Sequence, residues 1–176
     1  MIRMCTAIGV AVALAALAAA TPSAQSVPEA KAIRARLHGT FLDSAGGLGV
    51  LSGDITFSSF EERFGSLTAI GEMEGALADS RGEILGRVDQ EVSLIVSDVR
   101  STCNQVRLGL IPADVDVLGR SVHLDEEVAG YDSRQGAVPR AQPSMCRLAA
   151  ALDGGASPQA LADILNGVIK DISGQP

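Results

Sequence analysis

No tryptophan and a single tyrosine, Tyr131, occur in 176 residues, and phenylalanine appears four times. A chain this poor in aromatics lacks the stacking platforms on which single-stranded nucleic acids and many sugars are held. Positive charge is also scarce: 14 lysines and arginines stand against 21 aspartates and glutamates, for a net charge of −7. Nucleic acid and anionic membrane surfaces are therefore poor partners. Imidazole is limited to His38 and His123. The HExxH, GxSxG and calcium-loop patterns are all missing, which removes the commonest metal-assisted and acyl-transfer chemistries. No apolar run reaches the roughly 20 residues that span a bilayer.

What is present begins with a leader. Arg3 precedes an apolar and small-residue run, Ala7 to Ala20, followed by the small and polar stretch Thr21 to Ser26. This is the pattern of a secretory signal peptide. Residues 1–26 are read as that signal, with cleavage after Ala20 or Ser26, and residues 27–176 as a single exported β-rich domain with C-terminal helices. No stable membrane span is expected after signal removal, and the destination is the periplasm or the medium. Cys5 leaves with the leader. Cys103 and Cys146 remain in a compartment that permits oxidation, so a disulfide between them is expected. Closing that loop contributes roughly 4 kcal/mol in the chain-entropy picture. Two buried free thiols are the rival reading, and the spacing excludes a CxxC redox site.

The framework centres on Ile84 to Leu110. Ile84, Gly86, Val88, Gln90, Val92, Leu94 and Val96 alternate with polar residues, the period of a half-buried strand. Asp98 to Thr102 reads as a turn into a second strand from Cys103 to Leu110. Upstream, Ile33 to Phe41 alternates with Arg34, Arg36, His38 and Thr40, and the glycine-rich turn Asp43 to Gly49 leads to Leu51, Gly53, Ile55 and Phe57. Ser66 to Leu77 pairs with Ile84 to Val96 if residue i faces 161 − i, which sets Leu67 opposite Leu94 and Glu74 opposite Arg87. Asp79-Ser80-Arg81-Gly82 supplies a type I turn at that register. Two short strands, Ala113 to Val117 and Val122 to Leu124, flank a kink. Asp125 to Pro143 reads as a long loop with one irregular strand near Val128. Ser144 is expected to cap a helix over Met145 to Leu152, and Ser157 a second, with Pro158 at its first position and an apolar face of Leu161, Ile164, Leu165, Val168 and Ile172. The fold class is α+β: an antiparallel curved sheet or partial barrel of about five to seven strands with the helical pair packed on it.

The inner face carries Gly39, Gly53, Gly71, Gly75 and Gly86. Repeated inward glycine implies a bend, a closely docked helix or a cavity. Gln90 is the polar residue on that face and requires a partner. Gln90, Gly71, Gly75, Gly86 and Met73 are therefore the candidate ligand-binding residues.

The run from Cys103 to Leu124, CNQVRLGLIPADVDVLGRSVHL, is followed by a second cysteine that opens a C-terminal helical pair. It resembles a family of uncharacterised secreted bacterial proteins with paired cysteines and a leucine- and glycine-rich C-terminal half. The likeness covers Thr40 to Ile172. It implies an exported domain with linked cysteines and no catalytic role. Arg140 to Cys146 departs from the family's glycine and leucine run, which implies a later start for the first helix.

Catalytic candidates are few. His38 and His123 both fall on polar faces of predicted strands. His123 with Asp125, Glu126 and Glu127 lacks the spacing of a zinc site. Asp114 with Asp116, and Glu72 with Glu74, read as solvated strand faces rather than a calcium site or a glycosidase pair. No catalytic residue, metal or cofactor is assigned. The expected function is that of a noncatalytic exported protein binding an apolar ligand or an envelope protein between sheet and C-terminal helix. A structural or adhesion module of the cell envelope is the alternative, and a hydrolase the third reading.

Overall fold

A computed structural model describes residues 32–134 and 140–174. The expected signal peptide, residues 1–26, lies outside the described residues. Eight strands precede two helices: β1 (Arg34–Leu42), β2 (Leu48–Arg63), β3 (Ser66–Ala78), β4 (Ile84–Thr102), β5 (Gln105–Leu110), β6 (Ala113–Val117), β7 (Arg120–Leu124), β8 (Glu127–Asp132), α1 (Ala141–Asp153) and α2 (Pro158–Ser173). All pairings are antiparallel. The sheet runs β2-β3-β4-β5-β8-β1-β7-β6, and β1 also pairs with β2. Strands β1, β2, β3, β4, β5 and β8 thus form a closed ring, which removes most of the open edges of a flat sheet.

β1 closes the ring by serving two neighbours along one edge: Arg34 faces Gly130 of β8, whereas Gly39 and Thr40 face Leu124 and His123 of β7. Alternation decides which side is buried. Leu37, Leu51, Ile55, Met73, Leu77, Val88, Leu108 and Leu124 point inward and are at most 3 % exposed. They belong to one continuous cluster with Met145, Leu148, Leu165, Val168 and Ile172 of the helices, so the helical pair extends the barrel core.

The helices sit at the end reached by the long β2–β3 and β4–β5 hairpins. Beyond Phe57, whose N–H donates to the Ile33 carbonyl, β2 has outrun β1. Asn166 of α2 takes over: its Oδ1 accepts from the Phe60 N–H and its Nδ2 donates to the Phe60 carbonyl, each at 2.8 Å. One side-chain amide thereby satisfies a strand edge that would otherwise be buried unpaired. The Cys103–Cys146 disulfide ties the β4–β5 turn to α1, and the Ser101 hydroxyl donates to the Met145 carbonyl.

Several expectations require correction. The β3–β4 register sums to 163, not 161: Ala69 faces Leu94 and Glu74 faces Asp89, while Arg87 lies opposite Ala76. The cause is local. Gly82, at φ 83°, ends the type I turn with its N–H on the Asp79 carbonyl, and a bulge then inserts Leu85 between Ile84 and Gly86. Two extra residues shift the register by two, so the buried face is unchanged. Asp98 to Thr102 is strand, because the irregularity between Val96 and Asp98 is a bulge and the turn falls at Cys103 and Asn104. Glu127–Asp132 is a regular strand, paired over its full length with β5. Helix α1 begins at Ala141, with Pro143 in its first turn, where a missing N–H is tolerated. Ser144 does not cap it; its hydroxyl donates to Asp171 of α2. The Ser157 cap of α2 is as expected, its side chain accepting from the Ala160 N–H.

Candidate functional site

The inward residues singled out as ligand-binding serve the barrel itself. Met73 is fully buried. A methyl group on Gly75 would lie 2.7 Å from the Ser52 carbonyl oxygen, and one on Gly71 would lie 2.6 Å from that of Thr56. Glycine is thus required where β2 and β3 approach most closely as they bend. Gly86 receives the side chain of Leu118, whose Cδ1 would be 2.6 Å from an added methyl. The Gln90 amide donates to the Asp116 carbonyl at 2.9 Å, which joins β4 to β6. The polar group that called for a ligand has a partner within the chain.

Surface chemistry gathers instead at the mouth of the barrel farthest from the helices. Three hairpin tips meet there: Asp43–Gly47, Asp79–Glu83 and Leu118–Gly119. The first two are locked together by Asp43. Its Oδ1 accepts from the Ala45 and Gly47 N–H groups, and its Oδ2 from the Ser80 hydroxyl at 2.6 Å and the Ser80 N–H. These donors, the Ser80 hydroxyl foremost, hold the carboxyl far below the usual carboxylate range. The third tip forms a plug. Leu118 has φ 53°, and it spends that unfavourable conformation on packing over Gly86. Next to it, the Arg120 guanidinium lies 5.4 Å from the centre of the Phe41 ring, and that ring covers Gly49 across the β1–β2 pair.

Pairing between β1 and β7 stops at Thr40 and His123. Where the strands part, a cleft of about 600 Å³ opens, lined by Phe41, Leu42, Leu48, Arg120, Ser121 and His123 among others. Leu42 and Leu48 face each other across the β1–β2 pair and are 73 % and 61 % exposed. With Val50, Ile84, Leu85 and Leu118, all exposed, they give this end an apolar rim. Sequence reasoning missed the rim, although a signal was there. Leu42, Leu48 and Val50 occupy positions whose alternation assigns them to the solvent side, and apolar residues at outward parity mark contact surfaces.

Both histidines hold carboxylates: His123 Nδ1 is 2.8 Å from Asp114 Oδ1, and His38 Nδ1 is 2.8 Å from Glu127 Oε1. The two imidazoles lie on the same outward face of β1 and β7, each bound to a different acid. The side chains of His123 and Asp114 are 55 % and 72 % exposed, so the pair is solvated and its attraction weak. Thr40 sits opposite His123 in the ladder, yet among the described residues no hydroxyl is hydrogen bonded to either imidazole. No group of three or more histidine, cysteine or acidic side chains among the described residues is arranged to hold a metal ion. Asp54, Glu74 and Asp89 form an acidic row across β2, β3 and β4, a source of repulsion rather than chemistry.

No helix of the described residues is long and apolar enough to cross a membrane. No family model, no curated protein and no solved structure matches the chain.

Proposed function

We propose that the protein is an exported, noncatalytic binding module that takes an apolar side chain of a protein partner into the cleft between β1 and β7. The observation that carries this reading is the contrast between inside and outside. The space between sheet and helices is occupied by the protein's own side chains, whereas Leu42 and Leu48 stand uncovered on a cleft walled by Phe41 and Arg120. Covering either leucine would contribute about 1.5–3 kcal/mol. The locked turns make the cleft rigid before binding, so little ordering is required when a partner arrives. Export is supported by the leader pattern and by the disulfide. A structural or adhesion role in the envelope is one use of such a surface. The test is fluorescence titration with N-phenyl-1-naphthylamine. Saturable binding is expected, weakened tenfold or more by Leu48→Asp; equal binding by the two proteins would contradict the assignment.

A further inference from the structure

We infer that the slit between β4 and β6 receives an extended segment of a protein partner as an added strand, one in which apolar residues alternate with lysine or arginine. The inference goes beyond the cleft between β1 and β7, since the slit lies along the other edge of β6. It begins at Pro112. β5 pairs with β4 as far as Leu110, and the Ile111 N–H still reaches the Ile95 carbonyl; Pro112 has no N–H with which to continue the ladder. β6 then runs on beside β4 and pairs with β7, while residues 86–94 of β4 pair with β3. Among the described residues no ladder joins β4 to β6.

Side chains alone hold these two edges together. Leu118 closes the mouth end over Gly86, and the Gln90 amide spans the middle with one hydrogen bond, to the Asp116 carbonyl. Asn166 seals the β2 edge at Phe60 with both a donor and an acceptor, whereas Gln90 engages only its donor. A strand edge without a ladder is a template on which another chain adds main-chain hydrogen bonds.

The flanks select the occupant. Inward positions beside the slit are apolar on both strands, Val88 and Val92 on β4 and Val115 and Val117 on β6, so every second residue of the added strand is apolar. Outward positions are acidic on both strands: Asp89 and Glu91 on β4, Asp114 and Asp116 on β6, all exposed. β3 adds Glu74 opposite Asp89 and Glu72 opposite Glu91, like charges whose repulsion an added cation relieves. Against these carboxylates stand Arg87, the one cation in residues 84–97, and His123 beside Asp114. Arg120, one strand further on, is turned onto the Phe41 ring. On a chain of net charge −7, these flanks favour a basic segment over an acidic one.

The experiment is a fluorescence-anisotropy titration of the disulfide-intact protein with three labelled heptapeptides. One alternates lysine and valine, one alternates glutamate and valine, and the third is the lysine peptide N-methylated at every second residue, so that one main-chain edge cannot donate. Circular dichroism shows that each protein variant is folded. The lysine peptide is expected to bind saturably, with amide shifts centred on residues 86–94 and on β6, and the glutamate peptide is expected not to bind. Affinity should fall tenfold or more on N-methylation, and again in Asp89→Asn with Asp116→Asn. The Asp116 carboxylate also accepts the Gly119 N–H, so Asp89→Asn with Glu91→Gln repeats the test on β4 alone. No saturation by about 1 mM, equal binding of the methylated peptide, or displacement of the naphthylamine from the cleft by the lysine peptide would overturn the inference.

Discussion

Asp43 shows how much one side chain can organise. Four donors converge on its carboxylate, two from its own turn and two from Ser80 of the neighbouring turn. They keep it ionised in the folded chain at a pH where the unfolded chain would already be protonated. A group whose folded value is depressed adds stability above its unfolded value, near pH 4, and loses it as the pH falls toward the folded one. Asp43→Asn should therefore be less stable than the wild type at pH 7, with the difference shrinking below about pH 4. Urea midpoints of both proteins between pH 7 and pH 2 test this; a gap independent of pH would refute the assignment. Phe64 is the opposite case, a residue that organises nothing within its own chain. The turn at Phe64 and Gly65 was not read from the sequence, and only the structure shows that the ring is bare.

At the scale of elements, the alternating strands and α2 were legible because their patterns are local: period two for β1, β3 and β4, and a serine cap with proline behind it for α2. What could not be read depends on residues outside the pattern. Gly82 and the Leu85 bulge moved the β3–β4 register by two while leaving every inward residue inward. The hydrophobic pattern, which repeats every two residues, carries no signal against such a slip. Strand β8 is short and ends in polar residues, and it becomes regular only because β5 offers it a full ladder. The Asn166 amide on Phe60 was hidden as well, since the two residues are 106 positions apart. Asn166→Ala leaves a strand N–H and carbonyl without partners and should destabilise the protein by about 1–3 kcal/mol. Equilibrium urea denaturation measures it; a change under about 0.5 kcal/mol would mean that water replaces the amide.

For the whole molecule, the expected curved sheet with its helical pair is the fold observed. The disulfide joins its two parts, strands and helices, across a sequence separation of 43. Reduction should lower unfolding stability by up to roughly 4 kcal/mol. Because the disulfide is at the helical end, the turns that shape the cleft should keep their native chemical shifts in the reduced, still folded protein. Both are read from denaturation with and without reductant and from amide spectra. The candidate site was the least legible feature. The inward glycines and Gln90 drew attention to the interior, and ring closure filled it: backbone approaches account for Gly71 and Gly75, Leu118 for Gly86, and the Asp116 carbonyl for Gln90. The rim depends on three hairpin tips brought together from distant positions, which no single stretch of sequence reveals.

The central claim is that binding takes place on the outside of the barrel mouth. Amide chemical-shift mapping during titration with N-phenyl-1-naphthylamine tests it most directly. The account predicts shifts confined to Thr40–Leu48 and to Arg120–His123, with Met73, Gln90 and Leu165 unmoved; shifts centred on those three interior residues would contradict it.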